Sequence, residues 1–147
     1  MKDTTRSRTG RALAALLAAD GLIHLYWATG LTWPAPDERT LSLAVLGSEV
    51  SFGPAVVLPL AALTLTASAA VLAHTHGGGT SPLPRAARLV TAGVAAGLAL
   101  RGLAGLGWAA GVLDSPAEGP FRALNLALYT PVCLGFGWAA ARLARAR

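Results

Sequence analysis

Asp20 and His24 are four residues apart, and Trp27 follows at the next helical step. Positions i, i+4 and i+7 lie on one face of a helix, so this segment would present an acid, a base and an aromatic wall side by side. A carboxyl group next to an imidazole can accept and return a proton, which is general acid–base chemistry. Arg101, Gly105 and Trp108 repeat the spacing, and Asn125 and Tyr129 lie one turn apart further on. A guanidinium offers a rigid fork of N–H donors, and indole and phenol rings can wall an apolar ligand or stabilise cationic character. Glu49, beside Ser48 and Ser51, would face solvent or serve as a lid or proton donor. The candidate catalytic residues are therefore Asp20, His24, Glu49 and Arg101, and the candidate ligand-binding residues are Trp27, Trp108, Asn125 and Tyr129.

Most of these side chains interrupt apolar runs. The chain has 147 residues, of which 54% are hydrophobic and 13% charged, where a soluble domain carries about 25% charge. Four runs approach the roughly 20 residues that a helix needs to cross a bilayer core: Ala12–Leu31, Gly53–Ala73, Leu89–Leu113 and Ala123–Ala141. The expected fold is all-α, an integral membrane four-helix bundle forming a single transmembrane domain over residues 1–147. The basic N-terminus followed by an apolar stretch has the look of a secretory signal, but the run continues through Trp27 and reads as an uncleaved first span.

Charge distribution orients these spans. Of the 12 Lys and Arg residues, Lys2, Arg6, Arg8, Arg11, Arg85, Arg88, Arg142, Arg145 and Arg147 flank the spans on one side, and only Arg39 and Arg122 fall on the other. Basic residues stay cytoplasmic, so both termini are expected inside the cell. No basic stripe is interleaved with aromatics, so the net charge of +5 implies anionic headgroups as partner and no nucleic acid.

Depth along the helices supports convergence. At 1.5 Å per residue Asp20 lies roughly 16 Å, and Arg101 roughly 17 Å, below the outer ends of their runs. His24 and Tyr129 come out about 10 Å deep, with Asn125 and Glu49 near the outer rim. An ionisable group at such depth must be paired, wetted or functional. Three readings follow: an Asp20–Arg101 ion pair that fixes helix packing, an acid–base ligand pocket, or a proton path.

The remaining features are structural. Cys133 is the sole cysteine and reads as a buried thiol. His74-Thr75-His76 lacks third and fourth ligands for a metal, so neither a metal nor a cofactor is expected. Gly93–Gly97 and Gly107–Gly111 match GxxxG, which lets helices approach closely. Pro131 should kink the fourth run and free a carbonyl that Tyr129 could bond. Leu41, Leu43, Val45 and Leu46 fit either a short surface helix or a strand, and the inner loop His74–Pro84 should be flexible.

The stretch Leu22-Ile23-His24-Leu25-Tyr26-Trp27-Ala28-Thr29-Gly30 resembles the H-x-Y-W-A-x-G signature of the domain-of-unknown-function 3995 family of small bacterial four-span membrane proteins. Leu100-Arg101-Gly102-Leu103-Ala104 is similar to that family's mid-span L-R-A-I-G. Asn125-Leu126-Ala127-Leu128-Tyr129-Thr130-Pro131-Val132-Cys133-Leu134 resembles its D-x-x-x-Y-[ST]-P-x-C-L. The family usually has Asp where Asn125 stands and an acid where Gly105 stands. The resemblance implies an integral protein of the bacterial inner membrane and assigns no activity.

Three functions fit these residues. One is a membrane enzyme or binder, such as a cyclase or isomerase, acting on an isoprenoid- or polyketide-like molecule by acid–base chemistry. The second is a non-enzymatic structural or accessory subunit. The third is a transporter or proton-path component, which with four spans would need to assemble as a homo-oligomer.

Overall fold

The computed structural model describes residues 3–76, 82–113 and 120–146, and among these there is no strand. Helix α1 spans Asp3–Ala28, α2 Glu38–Leu46, α3 Pro54–His76 and α4 Pro82–Ala109. Helix α5, Pro120–Leu124, runs through a π-helical turn, Asn125–Tyr129, directly into α6, Thr130–Arg145. The short loop segment with two open readings, Leu41–Leu46, is thus helical. Asp37 starts α2 by accepting the Thr40 N–H at 2.7 Å, and Gly47 ends it with φ +75°. The helix that contains His74 continues to His76, where the expected inner loop had already begun.

Among the described residues, three helices are long and apolar enough to cross a membrane: Pro54–His76, Arg85–Ala109 and Pro120–Arg145. Helix α1 is long enough but falls short on apolarity, because Arg6, Arg8, Arg11, Asp20 and His24 all lie within it. The four-helix expectation therefore holds only for an all-helical protein with three spans of that quality.

Small residues make the helix contacts. Helix α1 packs chiefly on α3, and α4 chiefly on α6; α3 meets α4 less extensively, and α1 touches α6 only lightly. A Cβ on Gly10 would strike Thr75, and one on Gly21 would come within 2.6 Å of Leu65 Cγ. Across the second pair, a Cβ on Gly102 would come within 2.6 Å of Leu134 Cδ2, and Gly137 lies against Leu98 and Ala99. The GxxxG pairs do not serve this purpose: nothing lies within 4 Å of a Cβ on Gly93, Gly97 or Gly111. Large apolar side chains point outward instead, with Leu63, Leu89, Leu100 and Trp138 all well exposed. Small residues inside and large ones outside is the packing expected in lipid, where van der Waals contact rather than water exclusion holds helices together.

Two cores result. Leu13 and Leu17 of α1, Ala67 and Val71 of α3, Ala95 of α4, and Ala140 and Leu143 of α6 join all the long helices at the end that carries the basic residues. Two buried polar side chains there are bonded: Ser68 Oγ donates to the Ala14 carbonyl at 2.8 Å, and His74 Nε2 lies 3.0 Å from the Leu143 carbonyl. At the opposite end Trp27, Leu41, Phe52 and Val57 join only α1, α2, the loop before α3, and α3. That leaves the far ends of α4 and α5–α6 to pack around a different set of residues.

Candidate functional site

Pro131 sets the geometry of that second set. It has no N–H, so the helix cannot keep its regular ladder at this point. The register slips ahead of it, and the Thr130 N–H bonds the Asn125 carbonyl in a five-residue step. Such π-helical turns are frequent at functional sites, because they turn side chains away from the regular helical positions.

Here the turn aims Asn125, only 2% exposed, at helix α4. Its Oδ1 accepts from Arg101 Nη1 at 3.1 Å and from Thr130 Oγ1 at 3.2 Å, while its Nδ2 donates to the Gly105 carbonyl at 2.9 Å. Gly105 is required by this approach: a Cβ there would strike Thr130 Oγ1. Gly105 and Asn125 thus touch each other.

Arg101 lies between two rings. Its guanidinium carbon is 5.0 Å from the Trp108 ring centre and 5.5 Å from that of Tyr129. Phe121, buried, meets Trp108 edge-on at 5.5 Å. Tyr129 does not take up a carbonyl freed by Pro131; its hydroxyl reaches the Ala44 carbonyl of α2 at 3.3 Å. Helix α2 therefore closes the site from above, with Gly47 packed on the Phe121 ring.

Asp20, His24 and Trp27 form a second group on α1. The His24 Nδ1 is 2.7 Å from the Asp20 carbonyl and 3.6 Å from the Asp20 carboxylate. An Nδ1–H that donates to the carbonyl leaves Nε2 as the basic nitrogen. The His24 ring meets Trp27 edge-on at 5.3 Å. Trp27 is 8% exposed, donates to the Trp33 carbonyl at 3.2 Å and packs on Phe52, so it is a core residue of this end rather than an open pocket wall.

Asp20 and Arg101 do not form an ion pair among the described residues. The reason is the pairing of the helices: α1 faces α3, whereas α4 faces α6. The Asp20 side chain is 47% exposed and that of His24 15%.

Glu49 stands apart from both groups, 2.7 Å from Arg39 Nε on the surface. The acid that organises this loop is Glu38, whose Oε1 accepts the Phe52 N–H at 2.6 Å and the Ser51 hydroxyl at 3.1 Å. Sequence reasoning singled out Arg101, Trp108, Asn125 and Tyr129, and these do converge. It did not single out Thr130 or Phe121. Thr130 carries a signal, a hydroxyl residue directly before an intrahelical proline; Phe121 carries none.

Among the described residues, three apolar helices of spanning length, glycine-mediated contacts and an arginine among neutral groups point to a small membrane protein. Residues 17–140 match the profile of a protein family of unknown function, DUF3995, and the chain belongs to that family. No match was found among curated proteins or among solved structures.

Proposed function

We propose that the chain is a four-span protein of the bacterial inner membrane, with both termini cytoplasmic, that binds a hydrophobic small molecule through an acidic head. Helix α1 is the fourth span. Arg101 is the anchor for the head. The isoprenoid- or polyketide-like body lies along the apolar seam between α1 and α6, and Asp20 with His24 is the acid–base pair beside it.

The observation that carries this reading is the environment of Arg101. A guanidinium at membrane depth costs several kcal/mol unless compensated. Its partners here are an amide oxygen and two ring faces, all neutral. Helices α4 and α6 contain no Asp or Glu at all. The positive charge is thus held in place but not neutralised, which is what an anion-binding group requires. The rings of Trp108 and Tyr129 face Arg101, so they orient the anchor and are not free to stabilise a cation in the ligand.

The test has two parts. Reporter fusions at Gly10 and after Arg147 should both read as cytoplasmic, and a periplasmic signal at either would end the topology. Purified protein should gain thermal stability with lipophilic carboxylates or phosphates and not with their neutral alcohols. Arg101→Gln should remove that discrimination, while Asp20→Asn should keep it. Equal stabilisation by acids and alcohols would overturn the reading.

A further inference from the structure

Helices α4 and α6 leave a second feature, whose basic mouth lies about 20 Å along α4 from Arg101. A groove of about 680 Å³ runs between them, floored by Ala92, Ala95, Ala96, Ala99, Gly137 and Ala141. Leu89, Leu134 and Trp138 wall it, and Arg88 and Arg145 close it at one end. Arg142 adds a third guanidinium, held 4.9 Å from the exposed Trp138 ring.

We propose that this groove binds one anionic phospholipid of the leaflet at the basic end. The acyl chain lies on the alanine floor and the phosphate sits between Arg88 and Arg145. Three observations carry the assignment. The groove has the right length: Arg88 to Ala99, and Leu134 to Arg145, each cover about 16 Å at the helical rise, close to half of the ~30 Å hydrocarbon core. Its two ends differ in chemistry as the two ends of a lipid do, since the floor is wholly apolar and the mouth is wholly basic. The arginines also have no acid to pair with on either helix, because α4 and α6 carry none. A phosphate supplies the missing charge and accepts the planar N–H fork in a bidentate way.

The experiment uses the full chain in a neutral detergent. Phosphatidylglycerol and phosphatidylcholine with identical acyl chains are titrated separately, bound lipid is counted by native mass spectrometry, and Tm is followed. One phosphatidylglycerol per chain should be retained, at least about tenfold tighter than phosphatidylcholine. Arg88→Gln combined with Arg145→Gln should erase the preference, and Ala96→Phe, which fills the floor, should weaken both lipids. Arg145→Gln alone, at an exposed position, gives the same reading at reduced size if the double variant does not fold. Equal binding of the two lipids, or a preference that survives loss of the arginines, overturns the proposal. So does a dimer that Ala96→Phe converts to monomer with lipid binding unchanged, because the occupant is then a second copy of the chain.

Discussion

The Asn125 amide spans the contact between two helices, donating to the Gly105 carbonyl at 2.9 Å while its oxygen accepts from Arg101 at 3.1 Å. One side chain thus links the packing of α4 against the π-helical turn to the position of the guanidinium. The orientation of the amide follows from its partners, since a carbonyl can only accept and a guanidinium can only donate. Thr130 fills the remaining acceptor site on Oδ1, so every polar atom of this buried group is engaged.

Gly105→Ala should therefore be costly although alanine is the better helix former. The new methyl would meet Thr130 Oγ1 and approach Asn125 Oδ1 to 3.0 Å, and overpacking of this kind costs about 1–3 kcal/mol. Combining it with Thr130→Ala should recover part of the loss, because the two changes share one contact. Thermal unfolding in detergent reads both. Strictly additive effects would show that the two side chains do not meet.

Asn125→Asp separates packing from binding. The carboxylate would pair with Arg101 but could no longer donate to the Gly105 carbonyl. The expected product is a folded, less stable protein whose Arg101 is already neutralised. Its affinity for an acid-headed lipophilic ligand should fall about tenfold or more. Undiminished binding in a ligand titration would remove Arg101 as the anchor.

What the sequence could and could not reveal follows from helical geometry. Spacing shows which residues share a face, so Arg101 with Trp108 and Asn125 with Tyr129 were legible as pairs. It does not show which helix that face meets, so an Asp20–Arg101 pair is only one of three readings the sequence allows, and the two helices prefer other partners. Glycine spacing misled for a similar reason. Gly93 and Gly97 match a known contact motif yet face outward, while Gly21, Gly102 and Gly105 make the close approaches. In a chain with 17 glycines, the pattern alone cannot select the working ones. The π-helical turn changed the register just where Asn125 points inward, and that shift arises from Pro131 acting together with α4.

Helix α2 should loosen in acid. The Thr40 N–H, donating to the Asp37 carboxylate, holds its pKa below the ordinary value. A depressed folded-state pKa contributes stability above the unfolded value, near 3.9 for Asp, and that contribution is lost as pH falls through the folded pKa. Asp37→Ala should thus lower stability at neutral pH, and the gap to wild type should narrow as pH drops below about 4. Because α2 holds Tyr129 through Ala44, amide exchange over Glu38–Leu46 is the suitable local measurement. A gap that stays constant from neutral to acid pH would show that the cap bond contributes nothing.

The glycines themselves allow a direct comparison of the two kinds of site. Gly21 faces Leu65 and Thr64 across the α1–α3 contact, and a Cβ there would lie 2.6 Å from Leu65 Cγ and 2.9 Å from Thr64 Oγ1. Helix α3 cannot retreat easily, because Ser68 is bonded to the Ala14 carbonyl on the same face. Gly21→Ala should cost about 1–3 kcal/mol by overpacking. Gly97→Ala meets nothing within 4 Å, so helix propensity decides its effect, and alanine there should be neutral or stabilising by up to about 1 kcal/mol. Gly97→Leu should be tolerated for the same reason, since a large apolar side chain at an outward position resembles the neighbouring Leu100, 69% exposed. Paired thermal melts in detergent decide the matter, with gel filtration run alongside. If Gly97→Leu destabilises the protein and also halves its apparent mass, α4 packs on a second copy through Gly93 and Gly97, and the outward face is an interface. If it is silent in both while Gly21→Ala is not, the close contacts of this fold are those between α1 and α3 and between α4 and α6.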